Sequence, residues 1–186
     1  MHKKRTALLT GVCILLTACG QSDGETAVGI AGTAKAYETI SYQEYKEQTG
    51  KEAEFYHATR FMGEIADSSI GVIFEGTYDE ETAGAVLADD AVPIRLQGPL
   101  GALMDGIGES MSLAELADAL SADGAAKAAF ERLEGAGTAY YVGNDYVQIQ
   151  FDSDRDGKYD RRLLISMDEA AEETVGQESD AWLEML

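Results

Sequence analysis

The placement of two cysteines sets the terms for this fold. Cys13 and Cys19 both lie near the N-terminus, and no other cysteine follows. The rest of the chain forms no internal disulfide and offers no cysteine nucleophile or Cys-type zinc site. Core packing must therefore hold it together, against a heavy charge: of 186 residues, 34 are Asp or Glu and 14 are Lys or Arg, a net charge of −20. An apolar fraction of 45% suffices for a core, and the length allows one domain or two small ones. The acidity excludes phosphate-backbone binding, because no cationic surface would release counterions, so no nucleic-acid partner is expected. It also excludes docking on anionic lipid through a basic face.

The N-terminus carries an address. Met1-His2-Lys3-Lys4-Arg5 is basic and Ala7 to Leu16 is apolar, a leader too short to span a membrane comfortably. Leu16-Thr17-Ala18-Cys19 follows, and it resembles the lipobox of bacterial lipoproteins. The resemblance implies that residues 1–18 are a cleaved signal peptide and that Cys19 becomes the first mature residue, with a diacylglyceryl group on its thiol. It places the protein at the cell membrane, anchored by lipid and facing the extracytoplasmic side. Each buried lipid methylene contributes about 0.8 kcal/mol, so acyl chains can replace a span. The alternative is an ordinary secretory signal, or an uncleaved anchor. Without residues 1–18, 34 acids face 11 bases and the charge becomes −23.

Residues 19–36 are small and polar with little periodicity, and read as a flexible tether. An acidic domain follows over 37–186, as one unit or as halves 37–97 and 98–186. Ser41 to Glu44 has the capping-box pattern and opens a helix that stops at Gly50. Phe55, Ala58, Met62 and Ile65 recur at helical spacing and predict a second helix over 51–66. Residues 70–74 read as a buried strand. Residues 77–91 are either a short capped helix or a long hairpin connection. Val92 to Leu96 alternates, and Pro93 predicts an edge strand. Residues 98–110 form a glycine-punctuated loop without a phosphate-binding fingerprint.

Ser112 to Glu115 is a second capping box. Asp123 can cap a further helix ending at Gly135. Strands follow at 138–142, 146–151 and 161–166, with a tight turn at 143–145. Trp182 and Leu183 should dock the acidic tail. This order predicts an α+β fold with helices on one face of an antiparallel sheet, ending in a helix–helix–β-meander. Over residues 110–166 it resembles small envelope domains of the β-lactamase-inhibitor-protein-like kind. Residues 51–75 could be a diverged first copy of that unit.

One stretch carries chemistry. Asp152-Ser153-Asp154-Arg155-Asp156-Gly157-Lys158-Tyr159-Asp160 resembles the D-x-D-x-D-G loop of EF-hands, dockerins and thrombospondin-type repeats. Calcium takes six to eight hard oxygens, and alternate acids on a curling loop aim at one centre. The resemblance makes Asp152, Asp154 and Asp156 side-chain ligands, Lys158 a carbonyl ligand, and Asp160 a direct or water-mediated one. Leu163 stands where those loops place a bidentate acid, and the flanks read as strands, so this is a hairpin turn and not an EF-hand. The competing account pairs the acids with Arg155, Arg161 and Arg162, leaving a solvated turn without an ion.

His57 is the one histidine beyond the leader, and no nucleophile motif accompanies it. Tyr140, Tyr141 and Tyr146 fit cross-strand packing better than a binding groove. These readings favour a non-enzymatic binding or interaction module for a protein or envelope ligand, with calcium as the possible cofactor. The rivals are an envelope hydrolase using carboxylates, and a proteinaceous inhibitor or assembly factor.

Overall fold

A computed structural model describes residues 27–108, 111–121, 146–166 and 174–186. The expected signal peptide, Cys19 and the start of the expected tether lie outside those residues. So do the helix expected after Asp123, the strand at 138–142 with Tyr140 and Tyr141, and the turn at 143–145.

The chain opens with β1 (Gly29–Ile30), α1 (Gly32–Tyr37) and α2 (Tyr42–Thr49). Next come β2 (Glu54–His57), β3 (Arg60–Glu64), β4 (Gly71–Glu75), β5 (Thr77–Asp79), β6 (Gly84–Val86) and β7 (Pro93–Pro99). Then follow α3 (Leu100–Leu103), β8 (Met104–Asp105), β9 (Met111–Ser112) and α4 (Leu113–Ser121). The last described strands are β10 (Tyr146–Phe151), β11 (Arg161–Ser166), β12 (Thr174–Val175) and β13 (Asp180–Met185). Seven strands form one antiparallel sheet in the order β10-β11-β13-β7-β4-β3-β2. The fold class is α+β, as expected.

The period of two along these strands sorts side chains onto two faces. Val72, Leu96, Leu183, Leu163 and Ile149 are cross-strand partners in one row and are fully buried. Leu100, Leu103, Leu116 and Tyr45 join this core from the helices. Tyr45 crosses Phe74 edge-on at 5.5 Å and donates a hydrogen bond to the Glu64 carbonyl at 3.0 Å. A Cβ on Gly63 would lie 2.4 Å from the Tyr45 hydroxyl, so only glycine admits the ring. Both capping boxes form. The Ser41 hydroxyl accepts from the Glu44 N–H at 3.2 Å, the Ser112 hydroxyl does the same for Glu115, and each glutamate accepts from its serine N–H.

Several expectations need correction. Residues 51–66 are a hairpin of β2 and β3, not a helix. Phe55 faces Phe61 on one side of the sheet while Met62 lies on the other, and Ala58 takes φ 55° in the turn. The apparent helical stripe thus combines residues from both faces and a turn, and the helix–strand copy proposed for 51–75 fails with it. Of the two readings of residues 77–91, the long hairpin connection holds: it joins the paired strands β4 and β7 and carries the small hairpin β5–β6. Strand β7 lies at the centre of the sheet, not the edge. Pro93 is its first residue and sits where the pairing with β4 shifts register, so no central ladder bond is lost. The glycine-rich stretch after Gly98 contains α3 and β8.

The expected tether ends earlier than residue 36. Strand β1 pairs with β8, and Ala31 and Ala34 are buried in the core. The small residues of this segment serve close packing instead of flexibility. The acidic tail does more than dock: β13 inserts between β11 and β7.

Candidate metal centre

Strand β10 ends at Phe151 and β11 begins at Arg161, so the aspartate stretch is the hairpin loop between them. The Asp160 N–H donates to the Phe151 carbonyl at 3.2 Å, and the Leu186 N–H donates to the Asp160 carbonyl at 3.0 Å. These bonds close the loop's base and tie it to the end of β13.

Asp152 organises the interior and is only 4% exposed. Its Oδ1 accepts from the Arg155 N–H at 2.7 Å and the Asp156 N–H at 3.2 Å, and its Oδ2 accepts from the Gly157 N–H at 2.6 Å. Gly157 at φ 91° permits the sharp return. Asp154 Oδ1 accepts from the Asp156 N–H at 3.2 Å, and Asp156 Oδ1 accepts from the Lys158 N–H at 2.8 Å. One carboxylate oxygen from each of Asp152, Asp154 and Asp156 falls within 4.8 Å of the others. This is the only group of three or more such ligands among the described residues.

The electrostatics follow from this crowding. Burial pushes the Asp152 carboxyl up, but the N–H groups of Gly157, Asp156 and Arg155 bring it below its ordinary value. For Asp154 the Asp156 N–H acts downward. Burial, the hydrogen bond with Asp152 and the charges of Asp156 and Asp160 outweigh it and raise the carboxyl. Two carboxylates thus compete for the space of one, which is the condition a bound cation relieves.

Asp160, another expected ligand, is not one of this group. Asp160 turns to Ser153, whose N–H and hydroxyl donate to its two oxygens at 2.7 and 2.6 Å. The Lys158 ammonium lies 3.9 Å from Asp156 Oδ2, on a side chain that is 83% exposed. Two arginines of the competing account, Arg161 and Arg162, have their main partners outside the loop. Arg161 forms a two-pronged pair with Glu38 at 2.7 and 3.0 Å and reaches Asp160 at 3.3 Å. Arg162 pairs with Glu184, which also takes Arg95. Neither Arg161 nor Arg162 is paired with the three converging carboxylates. Glu38 was not anticipated as a partner of this region. Its 5% exposure with a charged side chain is legible only once α1 is known to pack.

Of the remaining candidates that are described, His57 and Tyr146 stand on the two opposite edge strands, β2 and β10. His57 is exposed on β2. Tyr146 packs edge-on against Trp182 at 4.9 Å, the cross-strand role expected of it. Among the described residues, no helix is long and apolar enough to cross a membrane. The chain matches no protein-family model, no curated protein and no solved structure.

Proposed function

We propose that this chain is a lipid-anchored extracytoplasmic binding module, non-enzymatic, whose β10–β11 loop takes a calcium ion. The observation that carries the calcium reading is the convergence of Asp152, Asp154 and Asp156 while Arg161 and Arg162 are engaged by Glu38 and Glu184. Three hard carboxylate oxygens suit calcium, with water completing the six to eight positions. A site this open belongs with the weak external modules, near 10⁻⁴–10⁻³ M.

The anchor reading rests on Leu16-Thr17-Ala18-Cys19. Packing from β1 onward shortens the reach from Cys19 to Gly29 to ten residues, about 35 Å at full extension. The module would stay within about one domain diameter of the bilayer. Radiolabelled palmitate incorporation tests the anchor: label should enter the wild type and not Cys19→Ser. Label in both, or in neither, counts against lipidation at Cys19.

The calcium reading makes a distinct prediction. Binding relieves the carboxylate repulsion only in the folded loop, so millimolar calcium raises the unfolding temperature by mass action. Asp154→Ala should abolish that rise. A calcium response retained in the variant would place the ion elsewhere.

A further inference from the structure

The face of the sheet turned away from Tyr45, Leu96 and the helices carries a groove of about 760 Å³ along the β3–β4 turn. Gly71, Gln97 and Trp182 are successive cross-strand partners on this face, and Met62 lies beside them. Gly71 keeps the floor open: a Cβ there would fill space 3.1 Å from Gln97 Cγ. Trp182 is held on one side by the edge-on ring of Tyr146. From β3 to β13 the groove crosses three strand spacings, about 14 Å.

Its rim carries three exposed carboxylates, Glu64, Asp67 and Asp180. Lys51 is the one cation among its described lining residues, and its ammonium already lies 3.6 Å from Glu64. Excess negative charge thus surrounds an elongated floor of indole, thioether, the Gln97 amide and bare backbone. Ammonium groups suit the carboxylates and the indole face, and methylenes suit Met62 and Trp182. These three acids do not converge as a group on one centre, so a compact metal ion would not meet all of them. An elongated cation meets several.

We propose that this groove binds a linear aliphatic polyamine. The proposal names a ligand class for the binding module described above and rests on that reading only in this respect. It needs neither the lipid nor calcium.

Trp182 is the only tryptophan in the chain, so its emission reports on the groove. Spermidine is titrated into the full-length chain in detergent, with a neutral aliphatic diol of similar length as control. Spermidine should change the emission saturably at submillimolar concentration and more weakly as salt rises, and the diol should not. Asp67→Asn with Asp180→Asn should raise the apparent Kd several-fold. Asparagine tolerates the φ of 60° at position 67, so the turn is kept. Asp154→Asn should leave the titration unchanged. The proposal is overturned by no saturable change, by an equal response to the diol, by sensitivity to Asp154→Asn but not to the groove variant, or by binding of a lysine-rich peptide alone. Loss of palmitate labelling or of the calcium response would leave these titrations as they are.

Discussion

Two acidic places on this molecule differ in how they hold their charge. In the β10–β11 loop, three carboxylates converge within 4.8 Å and the loop's own N–H groups orient them. In the groove beside the β3–β4 turn, Glu64, Asp67 and Asp180 rim a floor that includes Met62, Gln97 and Trp182. Convergence raises repulsion that only a small hard ion relieves. Dispersion along Met62 and Trp182 favours a long organic cation. In an acidic chain, where carboxylates sit relative to backbone donors and apolar surface says more than how many there are.

The largest perturbation should remove both places together. Strand β13 carries Trp182 toward the groove and Leu183 into the core, where Leu183 is fully buried. Leu183→Ala should cost about 3–4 kcal/mol, the usual range for a buried leucine, measured by urea unfolding. A change under about 1 kcal/mol would show that the site collapses without a cavity and that the core does not hinge on β13.

A smaller change separates the two places. Glu38 is buried and holds Arg161 beside the loop, and this pairing raises the already high pKa of the guanidinium. Glu38→Gln leaves that cation with Asp160 as its one remaining carboxylate and should cost about 2 kcal/mol, below the 3–5 of a fully buried pair because Arg161 is partly exposed and keeps that contact. Calcium response should weaken while the spermidine titration holds. Equal losses at both places would mean that the pair supports the whole sheet and not the loop.

The smallest effects sit in the loop itself. The raised Asp154 carboxyl favours the protonated folded state, so its contribution to stability is present below the unfolded pKa of about 3.9 and lost as pH rises through the higher folded value. Asp154→Asn removes that loss and should raise the melting temperature slightly at neutral pH in EDTA. Asp152 acts with the opposite sign: its lowered carboxyl stabilises above about pH 3.9, and that contribution disappears as pH falls through the folded value. Asp152→Asn should therefore lower the neutral-pH melting temperature in EDTA. Shifts of the same sign in the two variants would contradict the division of roles.

Much of the fold was legible where local rules and burial agree. Tyr146 to Phe151 alternates and is a strand, and the serine–glutamate boxes at Ser41 and Ser112 form as read. The errors fell where tertiary placement decides. A hairpin whose two strands contribute opposite faces gave Phe55 and Met62 a helical spacing, and Pro93 marks the start of a central strand as readily as an edge. Ala31 and Ala34 looked like linker because small residues pack as well as they bend. In the loop the glycine and alternate aspartates were legible, whereas the turning of Asp160 to Ser153 depends on how the loop folds back on itself and that of Arg161 to Glu38 on a contact far along the chain. The groove was not legible, because it gathers residues from five strands on a face set only by register.

The most direct measurement is thermal unfolding of the protein in excess EDTA, then in millimolar calcium, with magnesium as the control. The account predicts a calcium-specific rise of several degrees that Asp154→Asn abolishes. Superimposable curves in all three conditions would contradict it, and the aspartate loop would then be a turn organised by its own N–H groups with no ion to hold.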